Sequence, residues 1–161
     1  MTFGTELMVM TPDGKRLVTA GLGCMDIWQL DALGVWQLIG KGILADELDS
    51  VTCLAITDNG KRFVSSSTDG IIRVWQQEET NNWRSPIVRL FPDNKKLIKK
   101  VEITKNGKRV IASCNGTVAQ TWAEDEQGKW HALGALLDYG DHEATIAQGQ
   151  FFPAFYGDFY S

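Results

Sequence analysis

An all-β chain of repeated four-stranded antiparallel units is predicted by three observations: the tryptophan spacing, a recurring turn motif, and apolar alternation over short runs. Trp28, Trp75 and Trp122 are 47 residues apart (75 − 28, 122 − 75), and Trp36, Trp83 and Trp130 repeat that step eight residues later (36 − 28). All six tryptophans of the chain therefore fall on one lattice. Asp13-Gly14-Lys15-Arg16-Leu17-Val18 matches Asn59-Gly60-Lys61-Arg62-Phe63-Val64 and Asn106-Gly107-Lys108-Arg109-Val110-Ile111. Gly14, Gly60 and Gly107 are 46 and 47 apart (60 − 14, 107 − 60), so the first copy lacks one residue before Trp28. Ile146, Phe151 and Phe152 mark a partial fourth copy, where Ile98, Ile103 and Thr104 sit one unit earlier.

The second unit shows the elements in order. Val51 to Ile56 alternates and is rich in β-formers; Asp58-Asn59-Gly60 ends it. Arg62 to Ser66 is the next run, Thr68-Asp69-Gly70 breaks it, and Ile71 to Trp75 follows. After Glu78-Glu79-Thr80-Asn81-Asn82 come Trp83 and a fourth run through Ile87-Val88-Arg89-Leu90. Such runs, bounded by Gly, Asn and Asp, read as strands joined by tight turns. Four strands in roughly 45 residues is the content of one propeller blade. The apolar pairs Phe63-Val64 and Val110-Ile111 suggest strands covered on both faces, as in a blade between neighbours. The expected fold is a partial β-propeller forming a single domain over residues 1–161. Its blades fall at about 5–42, 46–91 and 95–137, with a partial one at 142–161, in all about 3–3.5 blades of ~47-residue period. A β-helix is the other repeat architecture considered; its repeats are usually shorter.

Ser65-Ser66-Ser67-Thr68-Asp69-Gly70-Ile71-Ile72-Arg73-Val74-Trp75 resembles the end of a WD-repeat: a Ser-rich strand, an Asp-Gly turn and a strand ending in Trp. Val51 to Gly60 and Met8 to Gly14 resemble the family's opening strand and its turn. The third unit keeps Asn115-Gly116 and Trp122, with Asn where the family has Asp, and Asp141-His142 resembles the family's Gly-His dipeptide. Gln29, Gln76 and Ala123 stand where the family places Asp after each Trp, and Glu47 and Asn94 where its His would fall. The family's buried His–Ser–Asp–Trp network is therefore expected to be incomplete in every unit. Gly34 to Gly40 also looks like propeller repeats that end in a Trp-Gln-Leu-Gly strand. The resemblance covers roughly residues 5 to 153.

At 161 residues the chain can bury a sizeable core but falls short of a closed propeller, which typically needs about 4–8 blades. Exposed sheet edges would follow. The expectation is a fragment of a longer chain, or a homo-oligomer closing the open propeller. The net charge of −4 argues against a nucleic-acid surface. No apolar stretch reaches a membrane span, and residues 1–6 lack the regions of a signal peptide. Cys24, Cys53 and Cys114 fit neither a redox pair nor a zinc site and read as reduced thiols, which suggests a cytoplasmic setting.

Candidate chemistry is sparse. Asp46, Glu47 and Asp49 crowd one inter-blade connection, and Asp138, Asp141 and Glu143 crowd another, while Asn94-Lys95-Lys96 breaks the pattern. Converging carboxylates could run acid–base or metal chemistry; exposed acidic loops more often serve solubility. The run Lys95 to Lys100 could meet an acidic partner, but Leu97-Ile98 within it suggests a loop entering a strand with its lysines solvated. His131 and His142 stand apart from any ligand set. The aromatic tail, Phe151 to Tyr160, reads as a divergent strand pair or a capping, partner-binding segment. No cofactor or metal is expected. The reading is a non-catalytic protein–protein interaction module whose partners, as the WD resemblance implies, dock on loops at the flat faces. The candidate contacts are Asp46, Glu47, Asp49, Asp69, Lys95, Lys96, Asn115, Asp138, Asp141 and His142. The alternative is a propeller-type hydrolase or lyase using the connection carboxylates.

Overall fold

The computed structural model describes residues 7–21, 24–43, 50–79, 83, 86–90, 92, 98–114, 118–133 and 137–138, with backbone alone at 41–43, 114, 118–119 and 137–138. The expected partial fourth blade and the aromatic tail lie outside the described residues.

Every described element is a strand. The first sheet is β1 (Leu7–Met10), β2 (Arg16–Ala20), β3 (Met25–Leu30) and β4 (Trp36–Ile43), in that order. The second is β5 (Val51–Ile56), β6 (Arg62–Ser67), β7 (Ile72–Gln76) and β8 (Val88–Leu90). The third holds β9 (Ile98–Ile103), β10 (Arg109–Cys114), β11 (Val118–Glu124) and β12 (Trp130–Ala132). All pairings are antiparallel. These are the blades that the 47-residue lattice (75 − 28) implied. One difference concerns Asp138, expected in a loop: it lies in β13 (Leu137–Asp138), opposite Val118. β12 pairs only with Trp122 to Glu124, which leaves the first half of β11 open to this second short partner.

The core lies between blades rather than within them. One apolar layer sets Val18, Met25 and Ile27 of the first blade against Phe63, Trp75 and Trp83 of the second. A second layer sets Ala55, Val64 and Val74 against Val101, Val110 and Trp122 of the third. Phe63 and Val64 point to opposite faces, as successive strand residues must, and both are buried. Trp75 stacks on Phe63 at 5.8 Å between centroids and 10° between planes, and Trp83 tilts against the same ring at 5.3 Å. The tryptophans are not equivalent, however. Trp75 and Trp122 are 1% and 4% exposed, because each leans on the preceding blade; Trp36 is 38% exposed on the outer face of the first.

The turn that opens each blade explains the recurrent sequence. In the second blade Thr57 Oγ1 donates to Asn59 Oδ1, and Asn59 Oδ1 also accepts the Lys61 amide. The Arg62 amide donates to Thr57 Oγ1 at 3.2 Å. Thr11, Asp13, Lys15 and Arg16 repeat this in the first blade; Thr104, Asn106, Lys108 and Arg109 repeat it in the third. Such side-chain bonds mimic backbone turns. Gly60 follows Asn59 with φ of 68°, the left-handed region where a Cβ is strained.

Space around this glycine differs between blades. A Cβ on Gly60 would lie 2.7 Å from Arg16 Cδ and 3.1 Å from Thr11 Cγ2, whereas one on Gly14 (φ 71°) would meet nothing within 4 Å. Alanine at either site meets the same backbone strain, of about 1–2 kcal/mol. At Gly60 it also displaces Arg16 from the hydrogen bonds described below, each worth about 1 kcal/mol. Urea titrations are expected to rank Gly60→Ala well below Gly14→Ala in stability. Equal loss would mean that the blade contact at Gly60 contributes nothing.

Candidate interaction faces

The antiparallel meander gives each blade two ends. At one end lie the turn just described and the hairpin between the third and fourth strands. At the other lie the turn between the second and third strands and the connection to the next blade. Asp69, in the turn between β6 and β7, belongs to this second end. Asp46, Glu47, Asp49, Lys95, Lys96, Asn115, Asp141 and His142 fall outside the described residues, and Asp138 is described in backbone only.

Asp69 is the fully described candidate. It sits in the turn between β6 and β7, where its Oδ1 accepts from Ser67 Oγ and, at 2.9 Å, from the Ile71 amide. Its Oδ2 accepts from Arg73 Nη2 at 2.7 Å, and Arg73 Nη1 also donates to Ser67 Oγ at 3.2 Å. Arg73 is wholly buried. Burial by itself would raise the Asp69 pKa; the bonds from Arg73 and Ser67 overcome this and leave the carboxyl below its ordinary value. A carboxylate held by so many donors fixes the turn's shape, and only its remaining exposed edge can meet a partner.

The tryptophan network is not wholly lost. Trp75 Nε1 donates to buried Ser65 Oγ at 2.9 Å, and Trp28 Nε1 donates to Thr19 Oγ1 at 3.2 Å. The third blade has Ala112 at the matching position (112 − 65 = 47), so Trp122 has no such hydroxyl opposite it.

The opposite end carries a device that sequence reasoning did not assign. Arg16 Nη1 crosses to the second blade and donates to the Gly60 carbonyl at 2.9 Å and Gln77 Oε1 at 2.6 Å. Arg62 repeats this one blade later, donating to the Gly107 carbonyl at 2.7 Å and meeting Glu124 Oε2 at 2.7 Å. Within its own blade Arg16 Nε donates to Gln29 Oε1 at 2.8 Å, and Arg62 Nη2 donates to Gln76 Oε1. Gln29 and Gln76 are the residues that replace the family's Asp, and here they hold the arginine that latches the next blade. Burial pulls the Arg16 pKa below the ordinary guanidinium value, with Asp13 opposing. The repeated Gly-Lys-Arg was the available signal; that it reaches across blades could be known only from the fold.

Other candidates resolve simply. His131 Nε2 lies 2.7 Å from Asp125 Oδ2, and the Asp125 pKa is lowered, first by this contact and then by the Lys129 amide. Asp31 makes the matching hairpin contact with Gln37 in the first blade. Ile98 is buried while Lys99 is exposed, so the basic run does enter a strand. Cys53 is buried and its thiol donates to the Ile98 carbonyl at 3.6 Å. Among the described residues no three His, Cys, Asp or Glu side chains gather as a metal set.

Four-stranded blades stacked face to face, each leaning its tryptophan on the one before, define a β-propeller type of fold. Residues 42–76 match the WD40 family model, WD domain, G-beta repeat. The match covers β5, β6 and β7, three of the four strands of the second blade. No curated protein matches the chain. Among solved structures, a candidate 6-phosphogluconolactonase from Bacteroides fragilis superposes with a TM-score of 0.66 at 17% identity, over 84% of this chain and 39% of that one. A candidate 6-phosphogluconolactonase from Bacteroides uniformis gives 0.65 at 17% identity, over 84% and 41%. The β-propeller domain of Cps50 (Swd1) from Myceliophteria thermophila gives 0.58 at 13% identity, over 83% and 40%. The chain thus spans about two fifths of the length of these structures, and likeness at such identities shows the fold alone.

Proposed function

We propose that this chain is a non-catalytic protein-interaction module, a propeller fragment or part of a larger assembly, whose partners dock at the end carrying the inter-blade connections. One observation carries the reading: a WD repeat coincides with the blade whose Asp69 turn is fixed from within by buried Arg73. A rigid turn on a packed scaffold suits recognition, since little order is lost on binding. Asp46, Glu47, Asp49, Lys95, Lys96, Asn115, Asp138, Asp141 and His142 supply the charged and polar rim in this proposal. Self-association of the open fan and a cytoplasmic setting belong to it as well.

A second reading, a propeller hydrolase or lyase, draws on the two candidate lactonases of similar fold. One experiment separates the two. Proteins captured from cell extract by the full chain are compared with those captured by a variant carrying Asp46→Lys, Glu47→Lys, Lys95→Glu and Lys96→Glu. A second variant carries Lys15→Glu and Lys61→Glu at the opposite end. The first is expected to lose its specific partners and the second to keep them. Identical capture by all three overturns the interaction reading. So does hydrolysis of 6-phosphogluconolactone that disappears in Asp46→Asn, Asp49→Asn.

A further inference from the structure

The outer face of the first blade carries the surface with which the other blades meet their neighbours. Met8, Met10, Leu17 and Trp28 occupy the positions at which the second blade sets Leu54, Ile56, Phe63 and Trp75 against the first (54 − 8 and 56 − 10 and 63 − 17 are 46; 75 − 28 is 47). Strand pairing puts all four on one side: Met10 opposes Leu17, and Leu17 opposes Trp28. Met8 and Met10 are 68% and 53% exposed. Continuity with the two blade interfaces therefore marks this side as an association surface.

Three positions say what it takes. Leu30 stands where Gln77 and Glu124 receive the latch arginine of the preceding blade (77 − 30 and 124 − 77 are 47). An ordinary blade arriving here would bury its guanidinium without that side-chain acceptor, which is costly. An apolar occupant has no such need. The methionines replace the stiffer Leu54 and Ile56, and their unbranched side chains adapt to an irregular partner. Head-to-tail stacking of two copies, which ring closure would require, meets a different obstacle. The far side of the third blade presents Glu102 in the row of Ile111 and Thr121, and Ile111 and Thr121 are already buried.

We propose that this face is a self-association surface and that its occupant is the same face of a second copy, related by a two-fold axis. Such an interface is self-complementary, each copy burying the patch that the other offers. An axis through Met10 and Trp28 places the two copies' Asp26, at the Met8 edge, at opposite ends of the contact. The proposal deepens the interaction-module reading by naming one surface and one partner for it.

Sedimentation equilibrium of the full chain, across a concentration series, tests it. The wild type is expected to reach twice the mass of the chain and stop there. Met8→Asp with Met10→Asp is expected to remain a monomer, and a circular-dichroism spectrum matching the wild type's would show that these exposed sites leave the fold intact. Leu33→Asp, on the exposed tip between β3 and β4, is expected to keep the dimer. A wild type that stays monomeric overturns the proposal, as does a dimer indifferent to the methionine pair or assembly beyond two copies. None of these results alters the extract-capture comparison, so the two readings fail separately.

Discussion

Trp75→Ala is expected to lower the unfolding free energy by about 4 kcal/mol, the scale for removing a large buried aromatic. The indole is 1% exposed, stacks on Phe63 at 5.8 Å and lies in the layer that joins the first two blades. Its loss opens a cavity between blades and leaves buried Ser65 without its donor. Trp36→Ala, on the outer face of the first blade, is expected to cost under about 1 kcal/mol. Urea denaturation of both variants checks this. Comparable losses would mean that the first two blades do not bury one another through Trp75.

Arg73→Met is expected to cost about 2–3 kcal/mol, toward the low end for a broken buried ion pair because Asp69 keeps some exposure. The substitution should also change the response to acid. In the wild type the folded-state pKa of Asp69 lies below its ordinary value. Its charged form therefore stabilises the fold above the unfolded carboxylate pKa, and that contribution is lost as pH falls through the folded value. Without Arg73 the effect of burial, which raises the pKa, loses its main opponent. The Asp69 carboxyl titration followed by NMR should move upward, and the acid loss attributable to this residue should shrink. Asp13 and Asp31, lowered chiefly by Thr11 and by the Val35 amide respectively, should titrate as before. An unmoved Asp69 midpoint in Arg73→Met would show that the ion pair does not set this turn.

The blades were legible because their signals are local. Trp spacing, Thr-Asx-Gly-Lys-Arg turns and alternation each lie within one unit, and the strands came out where they indicated. Inequality among the tryptophans was not legible: Trp28 and Trp75 hold the same place in their units, and only the neighbour in space buries one more than the other. The latch was half visible. Gly-Lys-Arg recurs in the sequence, yet its acceptors, Gly60 with Gln77 and Gly107 with Glu124, lie 44 to 62 residues from Arg16 and Arg62 (60 − 16, 124 − 62). Gln29 and Gln76 read as defects in a family network because the arginine that occupies them belongs to another motif. The binding end was named by analogy with the family, and of its residues Asp69 shows best why sequence falls short. Its spacing from Arg73 is local, but that Arg73 is buried, and so fixes the turn, depends on the first blade lying over it.

Arg16 and Arg62 both reach toward the blade that follows in sequence, and Gly60 and Gly107 both receive from the one before. The second unit thus carries plug and socket together. A tandem duplication of the coding segment for one unit would yield a copy that already mates on either side, with no compensating change elsewhere. Chains of this design can lengthen or shorten by whole units over evolutionary time, while a cut through the middle of a unit would separate an arginine from the strand that aims it.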